Sequence, residues 1–259
     1  MRELNCFKTY VALVLFSAFF LSKAHAETPV ESSIESRLYL TFQAQEATLQ
    51  NLLPTPWQVN AISNGPSKGA NLTVIFIQTL VCDTPEGKPS PSGGSARYVL
   101  FTVHAKNAQT GEESVFIPRI YTTDPDRAPG HYKNAIKADI RREQSIKTDN
   151  IGLGTGSDYW EMMEAGGGII KVHLDYKRSA LNHLKWERIV RTTADPSLSF
   201  IYRVDQSGEL LKSEVSGVDL LTSYDFMSTV AEQIGYLNDK TRLIGVTEIP
   251  NFIANVSQR

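Results

Sequence analysis

The 259-residue chain contains only two cysteines, Cys6 and Cys82. If residues 1–26 are removed, as argued below, Cys82 is the one cysteine left among 233 residues, and no internal disulfide can form. Stability must then come from a buried core rather than from covalent cross-links. A chain of this length is large enough to bury roughly 70% of the surface that it exposes when unfolded.

Several functional signatures are also missing. The five histidines show neither H-x-x-x-H nor HExxH spacing, and Cys82 has no cysteine partner, so we expect no metal site. No G-x-S-x-G motif indicates a hydrolase, and no pattern indicates a cofactor. The GLGTG sequence at 152–156 lacks the Gly-Lys-Ser/Thr of a P-loop, so we interpret it as a loop. With 28 acidic and 26 basic residues and no basic patch, a nucleic-acid partner is not expected.

Residues 10–21 form an apolar run of 12 residues near the N-terminus. Arg2 and Lys8 precede it and Ala24-His25-Ala26 follows it, which is the pattern of a secretory signal peptide with an A-x-A cleavage site. A spanning helix requires roughly 20 apolar residues, so a retained anchor is the less favoured alternative. We predict cleavage before Glu27, a periplasmic or secreted protein, and no stable membrane anchor after cleavage.

The remainder, residues 27–259, is predicted to form a single domain. About ten runs have the composition of strands, and many are joined by short Gly, Pro and Asp turns. Helices are predicted at 46–53 and 223–236, and residues 179–190 are interpreted as a short helix or an irregular crossing. The fold class is therefore α+β and β-rich: a closed or nearly closed antiparallel β-barrel with a few peripheral helices.

The most informative stretch is residues 115–140, VFIPRIYTTDPDRAPGHYKNAIKADI. It begins as a strand, breaks at the TDPD turn, and then presents Lys133 beside the apolar Ala135 and Ile136. A lysine held against apolar walls becomes a nucleophile because desolvation disfavours its ammonium form. The alternative is a solvated surface lysine.

The order of features resembles the acetoacetate decarboxylase-like superfamily between residues 40 and 256. The matching segments are PRIY at 118–121, Asp124, GHYKNA at 130–135, GIIKVHLDYK at 168–177, and LIGVTEI at 243–249 followed by FIANV at 252–256. The resemblance implies the fold of that family and a small-molecule carbonyl or carboxylate ligand. It also makes Lys133 the residue that would form a Schiff base with a keto acid.

Other positions depart from the family pattern. Asn134 stands where the family has a second lysine, and no carboxylate occurs near residues 96–97, where its glutamate would fall. The family's N-terminal arginine corresponds to Arg37 only with a shift in register. Arg97 or Arg119 could instead supply positive potential to a substrate.

Two further residues are candidates for the ligand site. Tyr132 belongs to a set of aromatic residues that could form the floor of a pocket, although aromatic residues more often pack in the hydrophobic core. His173 and Asp175 share one face of a predicted strand and could line a cavity, or could simply face solvent. Two functions stay open: an exported lyase that acts through Lys133, and a non-catalytic periplasmic protein that keeps the cavity and binds a small molecule. A homo-oligomer is compatible with either.

Overall fold

The structure, a computed structural model, describes residues 27–91, 96–150, 153–230 and 235–259. The predicted signal peptide lies outside these residues. Most of the described chain is strand, with one short helix α1 (Glu46–Gln50). The strands are β1 (Thr28–Gln43), β2 (Trp57–Val59), β3 (Leu72–Asp83), β4 (Arg97–Asn107), β5 (Glu113–Thr122), β6 (Ile136–Thr148), β7 (Gly154–Glu164), β8 (Ile169–Arg178), β9 (Asn182–Thr192), β10 (Ser199–Ser213), β11 (Val218–Asp219), β12 (Leu221–Ser228) and β13 (Arg242–Gln258). Two 3₁₀ turns, Pro125–Arg127 and Gly130–Tyr132, connect β5 to β6.

Seven strands pair in a closed ring, in the order β5-β9-β10-β13-β1-β3-β4 and back to β5. All of these pairings are antiparallel except that of β5 with β9. The sheet continues outward from β5 through β6, β7 and β8 to β12, which we call the extension. The predicted β-rich fold with a ring of strands and little helix is confirmed.

The main hydrophobic core lies between the outer face of the ring and the extension. On β4, Val99, Phe101 and Val103 belong to this core, whereas the alternate residues on that strand face into the ring. This follows from the period of two along a strand, which sends successive side chains to opposite faces. Phe76 of β3 and Trp160 of β7 meet in this core with ring centroids 5.6 Å apart.

A buried ion pair also joins the extension to the ring. Arg142 of β6 donates two hydrogen bonds to Asp158 of β7, at 2.9 and 2.7 Å, and a third to Ser36 of β1 at 2.9 Å. Both charged side chains are almost completely buried. Because an uncompensated charge is costly at such a position, Arg142 and Asp158 depend on each other.

Two segments that were predicted as a helix, or as a helix or irregular crossing, are largely strands. Residues 223–228 of the predicted helix 223–236 belong to β12, which pairs with β8; residues 229 and 230 are helical, and residues 231–234 lie outside the described part of the chain. Residues 182–192 form β9, the strand that closes the ring against β5. In both cases, pairing with a neighbouring strand overrides the local helical spacing.

Turn-forming residues also occur inside two long strands. The DQSG sequence at 205–208 passes through β10 without reversing, with a register shift between Ser207 and Glu209. The Pro250-Asn251 break likewise lies within β13. A bulge absorbs an extra residue by bending the strand, so turn-forming residues do not always end it.

The interpretation of residues 152–156 as a loop is wrong for Gly154–Gly156, which begin β7, and Gly152 lies outside the described residues. Gly156 packs against the ring of Tyr176, and an added Cβ would lie 2.2 Å from the Tyr176 Cζ. This glycine therefore allows close packing of β7 against β8. Among the described residues, no helix is long and apolar enough to cross a membrane.

Candidate functional site

The ring of strands encloses a cavity of about 380 Å³. All seven ring strands contribute side chains to its wall, and residues 62–67 of the loop between β2 and β3 cover part of it. This volume is within the usual range of ligand-binding pockets. None of the residues that line the cavity is an aspartate, a glutamate or a lysine, whereas two are arginines, Arg37 and Arg188.

Arg37 of β1 is held rigidly in the cavity wall. Its Nε donates to Glu35 Oε2 at 2.6 Å, and its Nη1 donates to the Tyr39 hydroxyl at 3.0 Å. Its guanidinium carbon lies 3.6 Å from the centroid of the Phe252 ring. The buried Nη2 has no hydrogen-bond partner among the described residues. An unsatisfied donor of this kind is costly, so it indicates a missing acceptor.

Arg188 of β9 is the second cation, and the described residues provide no carboxylate within ion-pair distance of it. It keeps accessible surface because it borders the cavity, yet protein atoms surround it closely enough that burial lowers its pKa. His104 of β4 lies nearby. Burial, and then the charge of Arg188, lowers the pKa of His104 to about 3, so its imidazole is neutral at physiological pH. A neutral imidazole can both donate and accept a hydrogen bond.

Uncharged polar groups complete the wall. Tyr202 donates a hydrogen bond to the Tyr132 hydroxyl at 3.4 Å, and burial raises the pKa of both phenols, which therefore stay protonated. The Gln206 Oε1 is buried without a hydrogen-bond donor from the described part of the chain. The wall of the cavity thus contains two guanidinium groups and no carboxylate, and a negatively charged ligand would pair with Arg188 and with the free Nη2 of Arg37.

A second polar cluster lies beside Arg37. Glu31 contacts His131 Nε2 at 3.5 Å and accepts a hydrogen bond from Cys82 Sγ at 3.6 Å. Burial, and then the charge of Glu35, raises the pKa of Glu31 to about 7. Burial, and then Arg37, lowers the pKa of His131 to about 3. Glu31 is thus the group here whose charge changes near neutral pH.

Solved structures that are similar in fold to this chain include two enzymes. The enduracididine biosynthesis enzyme MppR complexed with pyruvate matches with a TM-score of 0.54 and 10% identity, over 92% of this chain and 91% of that one. An acetoacetate decarboxylase-like enzyme from Sphingomonas wittichii RW1 matches with a TM-score of 0.51 and 11% identity, over 90% and 91%. The fold is acetoacetate decarboxylase-like. Neither a protein-family model nor a curated protein sequence matches the chain.

In this acetoacetate decarboxylase-like fold, Lys133 does not lie where the resemblance placed it. It follows the 3₁₀ turn Gly130–Tyr132, and its side chain is exposed and absent from the cavity wall. The preceding residues His131 and Tyr132 point inward instead and are buried. The expectation that apolar walls hold the Lys133 side chain is therefore wrong, because this short turn directs the neighbouring residue Tyr132 inward.

Tyr132 is the one residue of the predicted site that lines the cavity. Arg97 faces the outside of the ring, where its Nη1 donates to the Ile140 carbonyl at 3.2 Å. Arg119 follows a bulge in β5: Phe116 pairs with Val103, but Arg119 pairs with Phe101. Since this shift of register reverses the faces, Arg119 also faces outward.

His173 lies on β8 of the extension, outside the ring. Its Nε2 is 3.4 Å from Ser157 Oγ and 3.6 Å from Asp175 Oδ1. A Ser-His-Asp triad uses both imidazole nitrogens, one for each partner, whereas here a single nitrogen makes both contacts. His173 therefore does not line the central cavity, because β8 does not belong to the ring; it borders a separate polar pocket on the extension, together with Ser157 and Tyr159.

The sequence analysis missed three residues of the cavity wall, Arg188, His104 and Gln206. It considered Arg37 only as a counterpart of the family's N-terminal arginine that requires a shift in register. A signal was present in β1, where Arg37, Tyr39 and Thr41 alternate with Leu38, Leu40 and Phe42. That period of two indicates a strand with one polar face. No comparable signal marks Arg188, since the sequence around it did not indicate a strand.

Proposed function

We propose that this protein binds a small molecule with a carboxylate group inside the ring, without forming a Schiff base. The observation that carries the proposal is the charge of the cavity: Arg37 and Arg188 line it, Arg37 has an unsatisfied Nη2, and no residue of its wall is acidic. Arginine is well suited to binding carboxylates because its planar fork of donors matches their geometry.

The comparison with MppR adds a chemical precedent. A structure of that enzyme is complexed with pyruvate, a small keto acid with a carboxylate group. This supports a carboxylate as the ligand class. Schiff-base lyase chemistry has less support, because no lysine is among the residues that line the cavity and Lys133 is exposed. The neutral His104 and the protonated Tyr132 and Tyr202 would orient the ligand through hydrogen bonds.

Export belongs to the same proposal. The basic, apolar and A-x-A segments of residues 1–26 support cleavage before Glu27, and thus a periplasmic or secreted binding protein. N-terminal sequencing of the exported protein tests this part. A mature protein that begins at Met1 would contradict it.

The binding proposal is tested with Arg188→Gln and isothermal titration calorimetry, using pyruvate as the probe. Arg188 has no carboxylate partner among the described residues, so its replacement leaves no buried anion behind. A hydrogen bond to a charged group contributes about 1.5–3 kcal/mol, so we expect the affinity to fall at least about tenfold. Arg127→Gln is the matched control, because Arg127 is exposed and is not among the residues that line the cavity. Equal affinities in the wild type and the Arg188 variant would refute the proposal.

A further inference from the structure

A second cavity of about 460 Å³ adjoins the first at the loop between β2 and β3. The two cavities share five lining residues: Ile62, Asn64, His104, Val115 and Arg188. Side chains that face both spaces are therefore their common boundary. We call the first the inner cavity and the second the outer cavity.

The two cavities differ in charge. The outer cavity has two carboxylates, Glu113 and Glu187, together with the carboxamide of Asn60 and the hydroxyls of Ser63 and Ser114. Unlike the inner cavity, it has no tyrosine or tryptophan in its wall. Its polar lining suits a part of a ligand that donates hydrogen bonds.

Both outer carboxylates keep acceptor capacity. Glu113 Oε1 accepts from Asn60 Nδ2 at 3.3 Å, and Glu187 Oε2 accepts from Arg203 Nε at 2.9 Å. The second oxygen of each has no hydrogen bond to another described residue. An ionised carboxylate can accept about four hydrogen bonds, so both can receive donors from a ligand.

The size of the inner cavity also indicates a ligand larger than pyruvate. At about 30 Å³ for each water-sized group, 380 Å³ takes roughly a dozen non-hydrogen atoms. A keto acid the size of pyruvate would fill about half of that space. A ligand that fills the inner cavity and continues past Arg188 would reach the outer one.

We propose that the two cavities form one binding site for a carboxylate with a tail that carries hydroxyl or amide donors. The carboxylate binds at Arg37 and Arg188 in the inner cavity, and the tail lies in the outer cavity against Glu113 and Asn60. His104, which lines both cavities, contacts the part of the ligand that joins the two ends. This inference rests on the proposed function, whose ligand it makes more specific.

The test compares three six-carbon probes by calorimetry: gluconate, with a hydroxylated tail; hexanoate, with an apolar tail; and adipate, with a second carboxylate. We expect gluconate to bind at least about tenfold more tightly than hexanoate, by the gain of charge-assisted hydrogen bonds. Adipate should bind more weakly than gluconate, because Glu113, which has no cationic partner among the described residues, repels its second carboxylate. Equal affinities of gluconate and hexanoate would overturn the inference.

Two variants locate the effect. Glu113→Gln removes one negative charge from the outer cavity and should lower the ratio of gluconate affinity to adipate affinity about fivefold or more. Ser63→Trp fills the outer cavity and should lower the ratio of gluconate affinity to pyruvate affinity about tenfold. Glu86→Gln, at an exposed position outside both cavities, is the control and should leave both ratios unchanged. Ratios that stay constant in the first two variants also overturn the inference. Pyruvate binding that depends on Arg188 would still support the proposed function in that case.

Discussion

The Glu31→Gln substitution should destabilise the folded protein at acidic pH and stabilise it at alkaline pH. Glu31 lies beside His131 and Cys82, and its side chain is only 7% exposed. Burial, and then the charge of Glu35, raises its pKa from 4.5 to about 7. One pKa unit corresponds to 1.36 kcal/mol, so ionisation of Glu31 destabilises the folded protein by about 3 kcal/mol.

The direction follows from proton linkage. Between pH 4.5 and about 7, the folded state binds a proton at Glu31 that the unfolded state has lost, so the free energy of unfolding decreases as the pH rises. Glutamine cannot ionise, so the variant lacks this contribution. At pH 4.5 the variant should be about 1 kcal/mol less stable than the wild type, because glutamine replaces the hydrogen bonds of the protonated acid imperfectly. At pH 8.5 it should be about 2 kcal/mol more stable.

Urea denaturation followed by tryptophan fluorescence, at half-unit steps from pH 4.5 to 8.5, measures this difference. Glu46→Gln, an exposed glutamate in the first turn of α1, is the matched control and should show no reversal. A difference between wild type and Glu31→Gln that stays constant with pH would show that Glu31 does not titrate near neutrality in the folded protein.

Three further predictions follow from the same contacts. Arg142→Met should lower the free energy of unfolding by about 3–5 kcal/mol in urea denaturation, since Asp158 is then buried without its partner, and a loss below about 1 kcal/mol would contradict this account. Borohydride reduction in the presence of pyruvate should give no covalent adduct by intact mass, and an adduct mapped to Lys133 would favour the lyase. Pyruvate affinity should fall as the pH rises through about 7, because ionised Glu31 offsets the charge of Arg37, and the pH dependence should disappear in Glu31→Gln.

The fold was predictable to the extent that its strands carry apolar or alternating patterns. The strands β3, β4 and β5 contain long runs of such residues, because one of their faces packs in the main core. The strands β6 and β9 were missed because many of their residues are exposed and polar or charged, so little hydrophobic periodicity remains to indicate a strand. Their positions are set by pairing with distant strands, which a local pattern does not reveal.

The candidate site was less predictable, because membership of the cavity depends on which face a residue occupies. The sequence shows that Arg119 is two residues from Ile117, which suggests a shared face, but the bulge in β5 breaks that relation. Lys133 matched a motif by order along the chain, yet the direction of its side chain depends on a single 3₁₀ turn. An error of one residue in the predicted register therefore changes which charged side chains face the cavity.

The same alternation explains how a ring of this fold can keep its shape while its cavity changes. On β4, the core residues Val103 and Ala105 flank His104, whose side chain faces the cavity. Replacing the cavity-facing residue alters the charge and hydrogen bonding of the site, but it removes nothing from the outer core on which the strand depends. Fold similarity at about 10% sequence identity is thus compatible with a different set of cavity side chains. The activity of this protein must therefore be argued from Arg37, Arg188 and their neighbours rather than from the fold.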